Sequence, residues 1–214
     1  MHRALGHALQ ERTADGQVNR ARAREVVRDA LEHELRADGP PVLLENEETE
    51  DDLKEQSARM LDAVLEDLPM PDEVLGVEVG FQVELHHPET REPLPVPLVG
   101  SIDAVVRDGR EIRYVELKSA KRRWSDDQVT YDLQLTAYGV AMRRFGHPNA
   151  KPRLVVVTKA RLPVVQLESP YRGWEHERDL EATAASVLRA TRAGVDHPVR
   201  SWACKTCPFA GACR

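Results

Sequence analysis

The chain has 214 residues, 41% of them hydrophobic and 31% charged, with a formal net charge of −6. This length suits one domain with a real core, and the charged share exceeds the ~25% usual for such domains. No apolar run approaches the ~20 residues of a membrane span, no signal peptide precedes the first helix, and three cysteines near the C-terminus make no secreted disulfide framework. The expectation is a cytoplasmic protein without membrane contact.

Residues near 2–13 and 17–37 read as helices, the second carrying Val26, Val27, Ala30, Leu31 and Leu35 at helical spacing. Asp38-Gly39-Pro40-Pro41 stops it. A third helix over 49–67 turns Leu53, Met60, Leu61, Val64 and Leu65 inward and ends at Pro69 and Pro71. Strands follow at about 75–85, 97–106 and 111–118. A helix over 127–145 precedes strands at 153–158 and 163–167, and a last helix spans 175–193. The order predicts one α/β domain over 1–214, with a mixed sheet flanked by helices. It comprises a helical region (1–70), a core (75–168), a helix (175–194) and a cysteine-rich tail (200–214).

The second and third strands meet at Asp108-Gly109, a hairpin signal between apolar runs. With those two residues as the loop, Arg107 faces Arg110, Asp103 lies opposite Tyr114, and Ser101 lies opposite Glu116. Asp103, Glu116 and Lys118 then share one face, with the two carboxylates diagonal neighbours roughly 7–8 Å apart at the backbone. Their side chains can close on one hard cation such as Mg²⁺, and a lysine beside them can orient water or steady developing negative charge. The bland alternative is a surface salt bridge. Ile102, Ala104, Val106, Val115 and Leu117 argue for a covered opposite face. Val105 and Ile112 add apolar groups to the charged face, so the hairpin reads as central.

Charge is unevenly spread. Glu45 to Glu73 holds twelve acids and two bases, a local balance of −10 that leaves about +4 elsewhere. Lys121-Arg122-Arg123-Trp124 follows the hairpin, a basic run that can neutralise phosphates and an indole that can stack on a base. Gln134 and Tyr138, at i and i+4, share a helical face.

Gly100-Ser101-Ile102-Asp103, Glu116-Leu117-Lys118 and Gln134-Leu135-Thr136-Ala137-Tyr138 resemble, in order, the G-x-x-D, (D/E)-x-K and Q-x-x-x-Y motifs of the PD-(D/E)XK nuclease superfamily. The RecB-type and CRISPR-associated exonuclease-like branch is the most similar. The resemblance implies a restriction-endonuclease-like fold and a catalytic set of Asp103, Glu116 and Lys118. Mg²⁺ or Mn²⁺ would be held by Asp103, Glu116 and the backbone carbonyl of Leu117. It also implies a role near the DNA strand for Gln134 and Tyr138, and a supporting role for Glu78. The family's first-helix histidine, four residues after a glycine, is replaced by Gln10 after Gly6, which leaves Gln10 or His7 as the further ligand.

Cys204, Cys207 and Cys213 form a C-x₂-C-x₅-C cluster suited to a soft metal centre, or are three reduced thiols. In the family such cysteines, with a fourth upstream, hold a [4Fe–4S] cluster. The upstream cysteine is absent here, and with His197 the three make a zinc alternative. The implied activity is a metal-dependent DNA exonuclease on single strands or ends, in repair, recombination, or CRISPR or phage DNA processing. Two readings compete with it: a catalytically weakened DNA-binding or scaffolding module, and the nuclease part of a helicase–nuclease system. The chain has no phosphate-binding glycine loop, so a motor would be a separate partner.

Overall fold

In the computed structural model the described residues are 2–11, 18–37, 48–195, 201–205, 207, 209–211 and 213. Three helices, α1 (His2–Gln10), α2 (Arg20–Arg36) and α3 (Glu50–Asp67), precede the strands β1 (Glu73–Val83), β2 (Leu98–Asp108) and β3 (Glu111–Ala120). Then come α4 (Asp126–Thr130), α5 (Leu133–Arg144), β4 (Lys151–Thr158), β5 (Val165–Glu168) and α6 (Trp174–Arg192). A 3₁₀ turn spans Trp202–Lys205.

The five strands lie in sequence order. β1 to β3 form an antiparallel meander, β3 and β4 pair in parallel, and β5 returns antiparallel on β4. The parallel step requires a crossover, which α4 and α5 supply. The mixed sheet flanked by helices agrees with the α/β, restriction-endonuclease-like expectation. Among the described residues no helix is long and apolar enough to cross a membrane.

Two apolar clusters cover the sheet. One joins Leu5, Leu9, Val27, Leu61 and Val64 of the first three helices to Ala104, Val106, Val115, Leu117, Val155 and Val157. The other joins Leu135, Tyr138, Val140 and Leu180 of α5 and α6 to Ile102, Val105, Tyr114, Leu154 and Val156. Alternation along β3 and β4 sorts their residues between the clusters. Along β2 it breaks: Ile102 sits with α5, not with Ala104 and Val106 as expected. Across the strand pair, Val77 faces Ala104 and Val79 faces Ile102, so Glu78 lies opposite Asp103. Glu78 carries φ +49°, and the two strands turn over at this pair.

The hairpin also differs by one step. Asp108 pairs with Glu111, which makes Gly109-Arg110 the loop. Asp108 stays in the strand because Arg153 (2.7 Å) and Arg113 (3.1 Å) hold its carboxylate. Gly109 takes φ +58° at the first loop position, where a two-residue loop favours glycine. Because the loop still has two residues, the parity of the β2–β3 pairing is preserved.

The helix expected over 127–145 is two. Ser125 caps α4 in a capping box with Gln128, and Asp132 caps α5, its carboxylate accepting the Leu135 N–H at 2.8 Å. A side-chain cap in mid-run starts a new helix. The first helix ends at Gln10, short of the expected residue 13, and residues 12–17 lie outside the described set, as do Asp38 to Pro41 and His197.

Candidate active site

β2 and β3 separate just beyond the Ala104–Val115 pair, where the register sets Asp103 directly across from Glu116 rather than diagonally. An Asp103 carboxylate oxygen accepts the Leu117 N–H at 2.8 Å, a contact that ties the acid to the next strand. Glu116 is 1% exposed, the most deeply placed charge of the motif. Its Oε1 lies 2.5 Å from Lys118 Nζ, and its Oε2 lies 2.8 Å from the Tyr138 hydroxyl.

Gln134 closes these contacts into a ring. Its Oε1 accepts from Lys118 Nζ at 2.5 Å, and its Nε2 donates to the Tyr138 hydroxyl at 2.8 Å. The amide orientation follows from the chemistry, because an ammonium can only donate. Tyr138 has one hydrogen for two acceptors, Glu116 Oε2 and the Ser101 carbonyl at 2.6 Å. Burial, then contact with Glu116, pushes its phenol well above the usual range, so it remains a donor. Two of the three Lys118 N–H directions are thus fixed by Glu116 and Gln134, and the ring holds an otherwise mobile side chain in one pose.

The electrostatics favour a cation. Burial raises the Glu116 carboxyl above the ordinary glutamate range, and the Asp103 charge raises it further, against hydrogen bonds from Lys118 and Tyr138. Two carboxylates thus face one ammonium. Mg²⁺ needs one or two carboxylates and keeps several waters, so Asp103 and Glu116 fit such an ion by donor chemistry. The motif glycine has a steric reason. A Cβ on Gly100 would lie 2.6 Å from the Phe81 ring, which packs edge-on against Tyr138 at 6.0 Å.

The other expected residues fall in separate places. Gln10 and His7 line a cavity of about 520 Å³ with Asp29, His33 and Glu78, alongside β1. Glu78 brings that cavity's wall to the strand position opposite Asp103. Lys121, Arg122 and Arg123 are exposed, whereas Trp124 is half-buried against the α5 and α6 cluster. The Gln166 side chain accepts the Trp124 N–H (2.9 Å) and donates to its carbonyl (3.1 Å), pinning the basic loop to β5. Cys204 and Cys207 are half-buried, Cys213 is exposed, and all three are free thiols. Among the described residues no three or more His, Cys, Asp or Glu side chains converge on a point.

Sequence reasoning missed the Ser101 carbonyl, which has no side-chain signature, and the bracing by Gln166. It also missed Glu181, a second buried acid, on α6. Its carboxylate accepts the His86 N–H (3.1 Å) and pairs with Arg91 (2.5 Å). Leu180 and Ala184 beside it mark the inner face of α6, a signal that was available in the spacing.

No curated protein matches the chain. Among the solved structures that resemble it are the following two. One, from Eubacterium rectale and described as a "Putative exonuclease", is 15% identical, with TM-score 0.55 over 92% of this chain and 76% of that one. The other, the crystal structure of SSO0001, is 19% identical, with TM-score 0.46 over 88% of this chain and 94% of that one. At 15% identity the likeness to the Eubacterium rectale structure concerns the fold. The family model of the PD-(D/E)XK nuclease superfamily matches residues 1–214, and the chain belongs to that superfamily.

Proposed function

We propose that this chain is a cytoplasmic, metal-dependent deoxyribonuclease of the RecB-like branch. It acts as an exonuclease on single-stranded DNA or DNA ends. The observation that carries the reading is the Glu116–Lys118–Gln134–Tyr138 ring beside Asp103, a buried and a half-buried carboxylate sharing one ammonium that is locked next to them. Mg²⁺ or Mn²⁺, held by Asp103, Glu116 and the Leu117 carbonyl, would supply a Lewis acid for the phosphoryl oxygen and make water nucleophilic at neutral pH. Asp103 is oriented by the Leu117 N–H and Glu116 by Tyr138. The third N–H of Lys118 would be left to the attacking water or to charge developing on the phosphate. Water adds to phosphorus, the bond to the leaving oxygen breaks, and that oxygen takes up a proton. The exposed Lys121, Arg122 and Arg123 guide the strand by neutralising phosphates. The description of the Eubacterium rectale structure agrees with exonuclease action, and a helicase or a CRISPR or repair protein is the partner class.

Gln10 favours a second reading, a DNA-binding module of weakened catalysis, because an amide is a poor ligand beside imidazole. End-labelled single- and double-stranded DNA, incubated with Mg²⁺, Mn²⁺ or a chelator, separates the two. Wild type cleaves only with metal. Lys118→Ala loses roughly 10³-fold in rate while remaining folded, with a lowered melting temperature because buried Glu116 loses its ammonium partner. Full activity in Lys118→Ala would falsify the assignment, and tight binding without cleavage in the wild type would favour the module.

A further inference from the structure

The crossover from β3 to α5 carries an aromatic residue that the active-site ring does not use. Tyr131 lies in the two-residue break between α4 and α5 and is 76% exposed. Single exposed apolar residues are common and usually mean nothing. Tyr131 differs in how its backbone is held and in where it stands.

Its own N–H donates to the Asp127 carbonyl at 2.9 Å. The next residue, Asp132, caps α5 through the Leu135 N–H. From the far side of the crossover, the half-buried Arg172 guanidinium reaches the Val129 carbonyl at 2.6 Å and the Asp132 carbonyl at 3.4 Å. The peptide unit before Tyr131 and its neighbours Val129 and Asp132 are thereby held while the ring itself faces solvent. A rigid backbone beneath an exposed ring gives the fold nothing that a serine would not. It gives a flat ligand a platform that needs no ordering on binding.

The position is equally specific. Tyr131 is three residues before Gln134, so its Cα lies within about 11 Å of that of Gln134. Gln134 contacts Lys118, and the exposed Arg122 and Arg123 precede Tyr131 on the same crossover. Trp124, the aromatic of that basic run, is half-buried and pinned by Gln166, which leaves Tyr131 as the ring presented outward on this segment.

We infer that Tyr131 is a stacking platform for an unpaired base next to the scissile phosphate, and that it biases the site towards single strands. The inference rests on the nuclease reading for the position of that phosphate. A base inside a duplex is already stacked on both faces, whereas a base in a single strand offers its face at little cost. Stacking also tolerates any base, as a sequence-independent nuclease requires.

The test is binding in chelator, by anisotropy of end-labelled single-stranded and blunt duplex DNA of one sequence. Tyr131→Ala weakens single-strand binding roughly 5- to 100-fold and leaves duplex binding unchanged, whereas Tyr131→Phe stays within about twofold of wild type. Because the side chain is exposed, all variants melt like wild type. Single-strand affinity in Tyr131→Ala equal to wild type overturns the platform. So does a Tyr131→Phe as weak as the alanine variant, which would assign the effect to the hydroxyl. No single-strand affinity in the wild type overturns it as well. Since no cleavage is needed, a wild type that binds with this pattern but never cuts defeats the nuclease reading and leaves the platform standing.

Discussion

Two glutamates, Glu116 on β3 and Glu181 on α6, are each 1% exposed on the same helical side of the sheet, yet they are compensated in opposite ways. Glu181 receives the permanent charge of Arg91 and a backbone N–H from His86. Those contacts fasten the β1–β2 connection to α6, and Arg91 has a left-handed backbone, φ +58°. That conformation costs about 1 kcal/mol or more in a non-glycine residue, which the ion pair offsets. Glu116 has only a share of Lys118, a neutral phenol, and another carboxylate across the strand pair. A buried acid with its own arginine is a fastening. One placed beside a second acid favours a cation, which is the role proposed above for Glu116 and Asp103.

The largest effect that sharpens this contrast is in Glu116→Gln. The amide removes charge from a place that already resists it, so the metal-free protein melts no lower than wild type. Cleavage falls roughly 10³-fold or more, in keeping with loss of a group that acts in the transition state. Mg²⁺ raises the melting temperature of wild type but not of this variant, because only a folded state that binds the ion gains from it. A metal-free Glu116→Gln that melts several degrees lower would make Glu116 a fastening like Glu181, and the contrast would be lost.

Much of this site is legible in the sequence. The alternating runs and the Asp-Gly turn gave the hairpin, and a two-residue loop was enough to put Asp103, Glu116 and Lys118 together. The loop's position was one residue out because two arginines hold Asp108 in the strand, and one of them, Arg153, comes from a strand distant in sequence. Ile102 was put on the wrong face because alternation assumes regular strands, and Glu78 and Asp103 interrupt them. The break at Tyr131 followed from Asp132, whose capping role is local and was readable. The mate of Glu181 was not, since Arg91 lies 90 residues away.

Breaking the other half of the comparison has the next largest effect. Arg91→Ala strands a buried carboxylate, and we expect a loss of about 3 kcal/mol in chemical denaturation. This is the low end for a broken buried pair, because Arg91 is itself 57% exposed and water can follow it in. Cleavage per folded molecule is unchanged within about twofold, since the pair lies outside the proposed catalytic ring. A drop in turnover at full folding would mean that the β1–β2 connection also shapes the site.

The smallest effect is the most discriminating. Glu181→Gln keeps an acceptor for the His86 N–H and a polar partner for Arg91 but removes the charge. A charged hydrogen bond becomes a neutral one, which costs about 1 kcal/mol. The same isosteric change is thus made twice in similarly buried places. At Glu181 it lowers stability slightly and leaves both turnover and the Mg²⁺-induced rise in melting temperature intact. At Glu116 it spares stability and removes both. The signs are opposite because a glutamate paired with its own cation loses an attraction on neutralisation, whereas a glutamate facing another acid loses a repulsion. If Glu181→Gln also removed the Mg²⁺ effect, its carboxylate would belong to the cation's surroundings, and the two regions would be one electrostatic unit.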